Sequence, residues 1–482
     1  MSKPLYTVVL SLAFAIVVAL LVRAKASRMA LRAIHRSGAR IDRFKLTRKR
    51  FIRETLLADP AIAAAVNEHS TQEGVSEGET WKRVETYIDE IVPFFNILTY
   101  YKFGLVISRA LLSFFYRVSA EYAGKARSVP KDSIVIYLMN HRSNADYVLV
   151  GYVLSGQVAI SYAVGEWARA FPLEYIFKSF GAYFVRRKYR EKLYHAVLER
   201  YVQLITRNGV TQGIFLEGGL SRDGRLGAAK IGLLDYAIGV ARERELTDKL
   251  YVVPVAVNYD RVLEDRSLLR ELDAREGRVR ASRLTQLREV SRYLWWNLAR
   301  LLVRRWKRYG RAAVVIGDPI PLGPWLQQQH RETGDLFAVE RSQRLARVQV
   351  LADSVLSEIA QLIPVTPVPL ACAAIQSFDG DFISHESLIE RMREMCDVLR
   401  ELNARVVHRE GSIEEIFDRA WRMLSLRRVL VRSGAGYSVL PAGRPLVRFY
   451  ANSITHLLGP FAQGVGERDR LPTSKAEFVS PA

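Results

Sequence analysis

The chain has 482 residues, 49% of them hydrophobic and 25% charged, which is enough for two or three domains with real cores and excludes a largely disordered polymer. Its formal net charge of +21 calls for a partner of opposite sign, and nucleic acid, an anionic membrane surface and acidic substrates are the physical candidates. The two cysteines, Cys372 and Cys396, have no CxxC spacing and no histidine cluster beside them, which argues against a disulfide framework and against a metal site.

In chain order, Leu5 to Val22 (LYTVVLSLAFAIVVALLV) carries no charge and is long enough for a short transmembrane helix. A basic block follows at once, beginning with Arg23, Lys25 and Arg28 and running to Arg53. Such a flank resists translocation. The expectation is an uncleaved anchor over residues 1–25, with the rest of the chain cytoplasmic and the basic block against anionic headgroups. A membrane surface thereby becomes the leading partner, ahead of nucleic acid. Residues 26–120 form a basic, helical region, broken by the polar stretch His69 to Thr80. Ile91 to Val118 is strongly apolar, but Pro93, Lys102 and Arg109 interrupt it, which favours a core or interfacial helix over a second span.

The texture changes near Val129. SIVIYLMN (Ser133 to Asn140) is a short apolar run ending in polar residues, the pattern of a buried strand. GAYFVRR, GVTQGIFLEGG, KLYVVPVAVNY and RAAVVIGDPI hold further runs, separated by helical patterns such as Tyr189 to Gly209. This alternation predicts an α/β domain from about 120 to 330. A basic, aromatic-rich insertion from Leu263 to Arg308 includes Trp295-Trp296 and fits a core helix or a membrane-surface helix equally. Beyond residue 335 the pattern is helical again until LSLRRVLVRSGAGYSVLP, a candidate strand pair.

His141 directly follows the first of these strands, and Asp146 stands five positions later. An imidazole can take a proton from an alcohol while a carboxylate on its other nitrogen sets the tautomer. The pair therefore suits a base acting on a substrate hydroxyl. The spacing alone is weak evidence, because His330 to Asp335 repeats it without a preceding strand and reads as a solvated loop. Two arginine clusters supply context. Arg186 and Arg187 end one strand, and Arg222, Arg225 and Lys230 follow the Glu217-Gly218-Gly219 end of another. Guanidinium forks bind phosphate, and strand-end glycines let a ligand approach the backbone, so the combination points to a phosphorylated alcohol as acceptor.

These residues resemble the glycerolipid acyltransferases with a His-x4-Asp block. GAYFVRR is similar to that family's second block, FLEGGLSRDGRL to its third, and VVPVAVNYDRVLED, with Pro254, to its fourth, all in the family's order. Within the family the resemblance is to the large bacterial membrane-bound glycerol-3-phosphate 1-O-acyltransferases. PVTPVPLACAAI and RFYANSITHLLG look like segments of their C-terminal helical region. The resemblance implies an α/β fold, with an acyltransferase domain at 121–335 built on a mixed β-sheet flanked by helices, a helical C-terminal domain at 336–482, and a place in the bacterial inner membrane. It implies His141 as general base and Asp146 as its orienting partner. Around the acceptor it implies Arg186, Arg187, Glu217, Gly218, Gly219, Ser221, Arg222, Arg225, Lys230 and Pro254. Acyl-CoA or acyl-carrier protein would supply the thioester as co-substrate, with no cofactor, no metal and no nucleic acid. Two positions depart from the family. Leu220 stands where the third block usually carries an arginine, and Tyr259-Asp260-Arg261 replaces Tyr-Glu-His. The first departure leaves lysophosphatidic acid open as an alternative acceptor to glycerol 3-phosphate. A catalytically silent lipid-binding protein is the reading of a different class.

Overall fold

The computed structural model describes residues 43–47, 49–95, 105–124, 126, 129–130, 132–155, 158–165, 173–186, 189–275, 309–407 and 411–462. The expected anchor, Leu5 to Val22, and the tryptophan pair of the insertion lie outside the described residues. Among the described residues, no helix is long and apolar enough to cross a membrane.

Among the described residues an eight-stranded sheet forms the centre. Its strands are β1 (Arg117–Tyr122), β2 (Ile134–Met139), β3 (Ser161–Gly165), β4 (Tyr183–Val185), β5 (Gln212–Phe215), β6 (Leu250–Tyr259), β7 (Arg311–Ile316) and β8 (Ile320–Pro321). The order is β1-β7-β6-β2-β5-β3-β4, with β8 paired to β6 beside this path. From β4 across to β6 all pairs are parallel, β7 is antiparallel to β6, and β1 runs parallel to β7. The sheet is therefore mixed, as expected. Every residue of β2 and of β5 is buried, which is why β2 reads as an unbroken apolar run rather than an alternating one.

Some elements differ from the sequence reading. β1 lies in a stretch whose pattern is helical: the helix Leu105–Phe115 stops and the chain extends to place Arg117 opposite Arg311 and Tyr122 opposite Ile316. None of β1 is fully buried, so this edge strand lacks the apolar run that marks the central ones. The polar break is narrower than His69 to Thr80. Helix Pro60–Glu73 continues to Gly74, and Ser76 then caps helix Glu77–Ile91 by accepting the Glu79 N–H.

In the C-terminal region the expected strand pair exists as β10 (Leu430–Ser433) and β11 (Gly436–Val439), joined by β9 (Phe382–Ser384) in a separate antiparallel sheet. Its central helix, Pro367–Gln376, is buried from Pro367 to Ile375 and packs against helices Ile413–Leu426 and Arg444–Asn452. This region joins the α/β domain in one continuous core. At the end of β6 the buried Asp260 accepts the Val368 N–H at 3.0 Å and the Arg311 N–H at 2.8 Å. Burial pushes that carboxyl up, and the backbone donors oppose the shift. Asp265, just beyond, takes both terminal nitrogens of Arg427 at 2.6 and 2.8 Å.

Candidate active site

β2 and β6 are parallel neighbours, so the residues that follow them, Asn140 and Asp260, emerge on one edge of the sheet. Asn140 closes the seam between the strands. Its side-chain amide donates to the Val257 carbonyl at 3.0 Å and accepts from the Val257 N–H at 2.8 Å. His141 then leaves the strand with its Nδ1 2.9 Å from Asp146 Oδ2. Its ring stacks on Phe215 at 3.9 Å between centroids and meets Tyr147 edge-on. The His141 side chain is 1% exposed and that of Asp146 0%.

Three carboxylates hold the loop that carries this pair. Four consecutive backbone N–H groups point at them: His141 at Glu217 Oε1 (2.8 Å), Arg142 and Ser143 at Asp146 Oδ2 (2.7 and 3.0 Å), and Asn144 at Glu264 Oε1 (3.2 Å). Ser143 Oγ adds a bond to Glu264 Oε2 at 2.7 Å. Tyr259, the last residue of β6, donates its hydroxyl to Asp146 Oδ1 at 2.6 Å. Asp146 also opens the helix Asp146–Leu154, whose positive end favours a negative charge there. With Nδ1–H given to Asp146, the lone pair of the imidazole is left on Nε2, which makes no hydrogen bond among the described residues. Such an arrangement is chemically able to take a proton at Nε2.

The surroundings tune the supporting groups. Burial pushes the Glu217 carboxyl up, opposed by the His141 N–H, the Arg142 charge and the Gly227 N–H. Glu264 is pushed up by burial as well. The Tyr259 phenol is raised well above its ordinary value by burial and by the Asp146 charge, so it remains a donor to that carboxylate at any physiological pH.

The loop after β5 folds against the His141 backbone. Gly218 turns it at φ 62°, and a Cβ there would stand 2.8 Å from Lys230 Cδ. The Ser221 N–H donates to the His141 carbonyl at 3.1 Å, Ser221 Oγ to the Arg225 carbonyl at 2.6 Å, and the Gly227 N–H to Glu217 Oε2 at 2.8 Å. Glu217, Gly218, Gly219 and Ser221 thus share the loop that contacts the His141 backbone. Arg222, its side chain 29% exposed, pairs with Glu271 at 3.1 Å, while Arg225 and Lys230 are exposed on the same loop.

Other expected residues are placed differently. Arg186 follows β4, three strands from β2, or roughly 14 Å at about 4.8 Å per strand. Its guanidinium is held by Glu90 at 2.9 and 2.6 Å and lies over the rings of Tyr87, Tyr189 and Tyr194. An expected phosphate ligand is therefore engaged by helix Glu77–Ile91. Arg187 lies outside the described residues. Pro254 is buried inside β6 opposite Leu138, its carbonyl bonded to the Gly317 N–H at 2.8 Å, and it serves packing rather than binding. His330 is exposed in the last turn of helix Leu322–Thr333, not in a loop. His195 is a satisfied helix residue, with Tyr236 Oη at 3.1 Å and the Tyr189 carbonyl at 2.8 Å.

Sequence reasoning passed over Asn140, Tyr259 and Glu264 as site residues. The signal was present in part, because pairing β2 beside β6 in parallel puts the ends of both strands at His141.

A family profile described as "Acyltransferase" matches residues 123–258, and one described as "Glycerol-3-phosphate acyltransferase C-terminal region" matches residues 295–462. The protein named "Glycerol-3-phosphate acyltransferase" in Baumannia cicadellinicola subsp. Homalodisca coagulata is 27% identical over 427 residues, covering 84% of this chain and 49% of that protein. Its namesake in Glaesserella parasuis serovar 5 is 25% identical over 414 residues, covering 83% and 49%. The chain is thus similar to glycerol-3-phosphate acyltransferases in both its α/β and its C-terminal regions. It spans about half the length of the curated relatives it matches. Among solved structures, the 1-acyl-sn-glycerophosphate (LPA) acyltransferase from Thermotoga maritima overlays with a TM-score of 0.30 at 18% identity, over 53% of this chain and 78% of that one. So loose an overlay adds nothing to the fold described above. The region matched by the first profile contains His141, Asp146 and the glycine-bearing loop, and the region matched by the second contains the helices packed behind them.

Proposed function

We propose that this protein is a glycerol-3-phosphate 1-O-acyltransferase, moving a fatty acyl group from an acyl-CoA or acyl-carrier-protein thioester to glycerol 3-phosphate to give lysophosphatidic acid. The observation that carries the reading is the buried His141–Asp146 pair at a strand end, in backbone contact with a loop bearing Arg222, Arg225 and Lys230. His141 Nε2 takes the proton of the acceptor hydroxyl as its oxygen attacks the thioester carbonyl, and Asp146 stabilises the imidazolium. The tetrahedral intermediate then expels the thiolate as the carbon–sulfur bond breaks, and the imidazolium returns the proton to sulfur. The N–H groups of Gly219 and Leu220 have no hydrogen-bond partner among the described residues and suit the transient oxyanion. The loop cations face a phosphate dianion with charge to match.

Lysophosphatidic acid is the second acceptor to consider. Leu220, in the position where the family carries an arginine, packs against the hydrophobic core and offers phosphate nothing. A seat on the anionic inner-membrane surface rests on the uncharged Leu5 to Val22 segment and the cations that follow it. The experiment that tests the whole reading is acyl transfer from palmitoyl-CoA, and from the acyl-carrier-protein thioester, to either acceptor. Transfer to glycerol 3-phosphate that vanishes in His141→Ala supports it. Transfer to lysophosphatidic acid alone changes the acceptor and keeps the mechanism. Failure with both donors and both acceptors overturns it.

A further inference from the structure

Arg142, the residue after His141, is only 2% exposed. One terminal nitrogen donates to the Gly224 carbonyl in the glycine-bearing loop, and the other to the Ser453 carbonyl at 3.2 Å in the C-terminal region. Its Nε is buried without a hydrogen-bond partner. Burial lowers its pKa, against the pull of the Glu217, Asp146 and Asp223 charges. Burying a cation and leaving one N–H unmet both disfavour folding, so the position is explained by what the fork holds together.

The same C-terminal turn grips the same loop twice more. Asn452 Nδ2 donates to the Asp223 carbonyl at 2.8 Å. Gly224 sits at φ 88°, packed so closely on helix Arg444–Asn452 that a Cβ would overlap the Phe449 carbonyl. Three segments far apart in sequence, at 141–146, 223–224 and 452–453, therefore meet at one guanidinium.

We propose that Arg142 is a positioning residue, and that it and the Asn452–Ser453 turn together hold the His141 loop and the Ser221–Gly227 loop at a fixed separation. One loop carries the base and the other the cations, so this separation sets which acceptor oxygen rests at Nε2. The C-terminal region thus enters the reaction through the acceptor and not through the acyl donor. The kinetic consequence rests on the acyl-transfer reading; the mechanical coupling does not.

Two variants of the full chain test this, read by amide hydrogen exchange and by steady-state kinetics with palmitoyl-CoA. Arg142→Lys keeps the charge but replaces two separated terminal nitrogens with one, which cannot span the two carbonyls in the geometry of the fork. Asn452→Ala removes only the Asp223 contact and touches nothing on the His141 loop. In both, segments 141–146 and 221–227 lose protection together. KM for glycerol 3-phosphate rises on the order of tenfold in Asn452→Ala and further in Arg142→Lys, while KM for the acyl donor stays at its wild-type value. Exchange that rises in 221–227 alone, or a KM that rises equally for donor and acceptor, overturns the proposal. Should Arg142→Lys fail to fold, Asn452→Ala decides alone. Should the wild type transfer no acyl group, the functional reading falls, and the exchange data still decide the coupling.

Discussion

The chain writes the same His-x4-Asp spacing twice, and only one copy is built into a site. His141 and Asp146 are buried and 2.9 Å apart, four donors converge on the carboxylate, and Glu217 and Glu264 hold the intervening amides. His330 is exposed on the last turn of a helix, and Asp335 accepts the Phe337 N–H at 2.9 Å in the turn beyond. The two copies differ in what precedes them. Asn140 ends a buried parallel strand and bonds to its neighbour, so the residues that follow are delivered to a sheet edge where other strand ends also converge. A helix offers no such convergence, and five residues along it lead only into solvent. The chemistry belongs to the strand end rather than to the spacing.

The most severe way to break this comparison is to remove each histidine in turn. His141→Ala should lower kcat/KM for acyl transfer by about a thousandfold or more, whereas His330→Ala should stay within about twofold, measured with the same donor and acceptor. Equal losses would mean that neither copy is the base. Asp146→Asn comes next, at roughly a hundredfold to a thousandfold in kcat. An amide accepts on one oxygen only, so either the donors on Oδ2 or the Tyr259 hydroxyl loses its partner, and the imidazolium loses its counter-charge. Asp335→Asn should leave the rate unchanged in the same assay. A smaller effect is expected from Tyr259→Phe, about tenfold in kcat, from the loss of one hydrogen bond to a charged group. A wild-type rate in that variant would show that Asp146 is held well enough by backbone N–H groups alone.

The contrast between the copies also shows what a sequence can reveal. β2, β5, β6 and β7 were legible because each holds a buried, mainly apolar stretch, and His141 was legible because it directly follows one of them. β1 was not, since its pairing with β7 depends on residues on the far side of the insertion and its side chains carry no apolar run. Arg186 looked like a phosphate ligand because its own segment offers it no acid. Glu90, which binds it, comes from a helix almost a hundred residues earlier. Tyr259 and Glu264 lay within a recognised block, but their contacts with the His141 loop exist only once β6 is placed beside β2. Local pattern gave the elements and His141, and the partners of His141 required the topology.

The smallest expected effect separates charge from shape at the carboxylate that ties the two loops together. Glu217 Oε1 and Oε2 each accept a backbone N–H, from His141 and Gly227. Burial nevertheless raises its pKa above the ordinary 4.5, so the folded state binds the proton more tightly than the unfolded chain does. The stabilisation that follows is fully present below pH 4.5 and is lost as pH rises through the raised folded value. Glu217→Gln is neutral throughout. Its Nε2 cannot accept, so it leaves one of the two N–H groups unmet at a cost of about 1–3 kcal/mol at every pH. The lead of the wild type over the variant should therefore shrink by about 1.4 kcal/mol for each unit of the upward shift as pH rises, and then level off. Denaturant unfolding across that range would measure it. A lead that grows with pH would mean that the two backbone donors and Arg142 favour the charged carboxylate more than burial opposes it, and Glu217 would then hold the base loop as an ion.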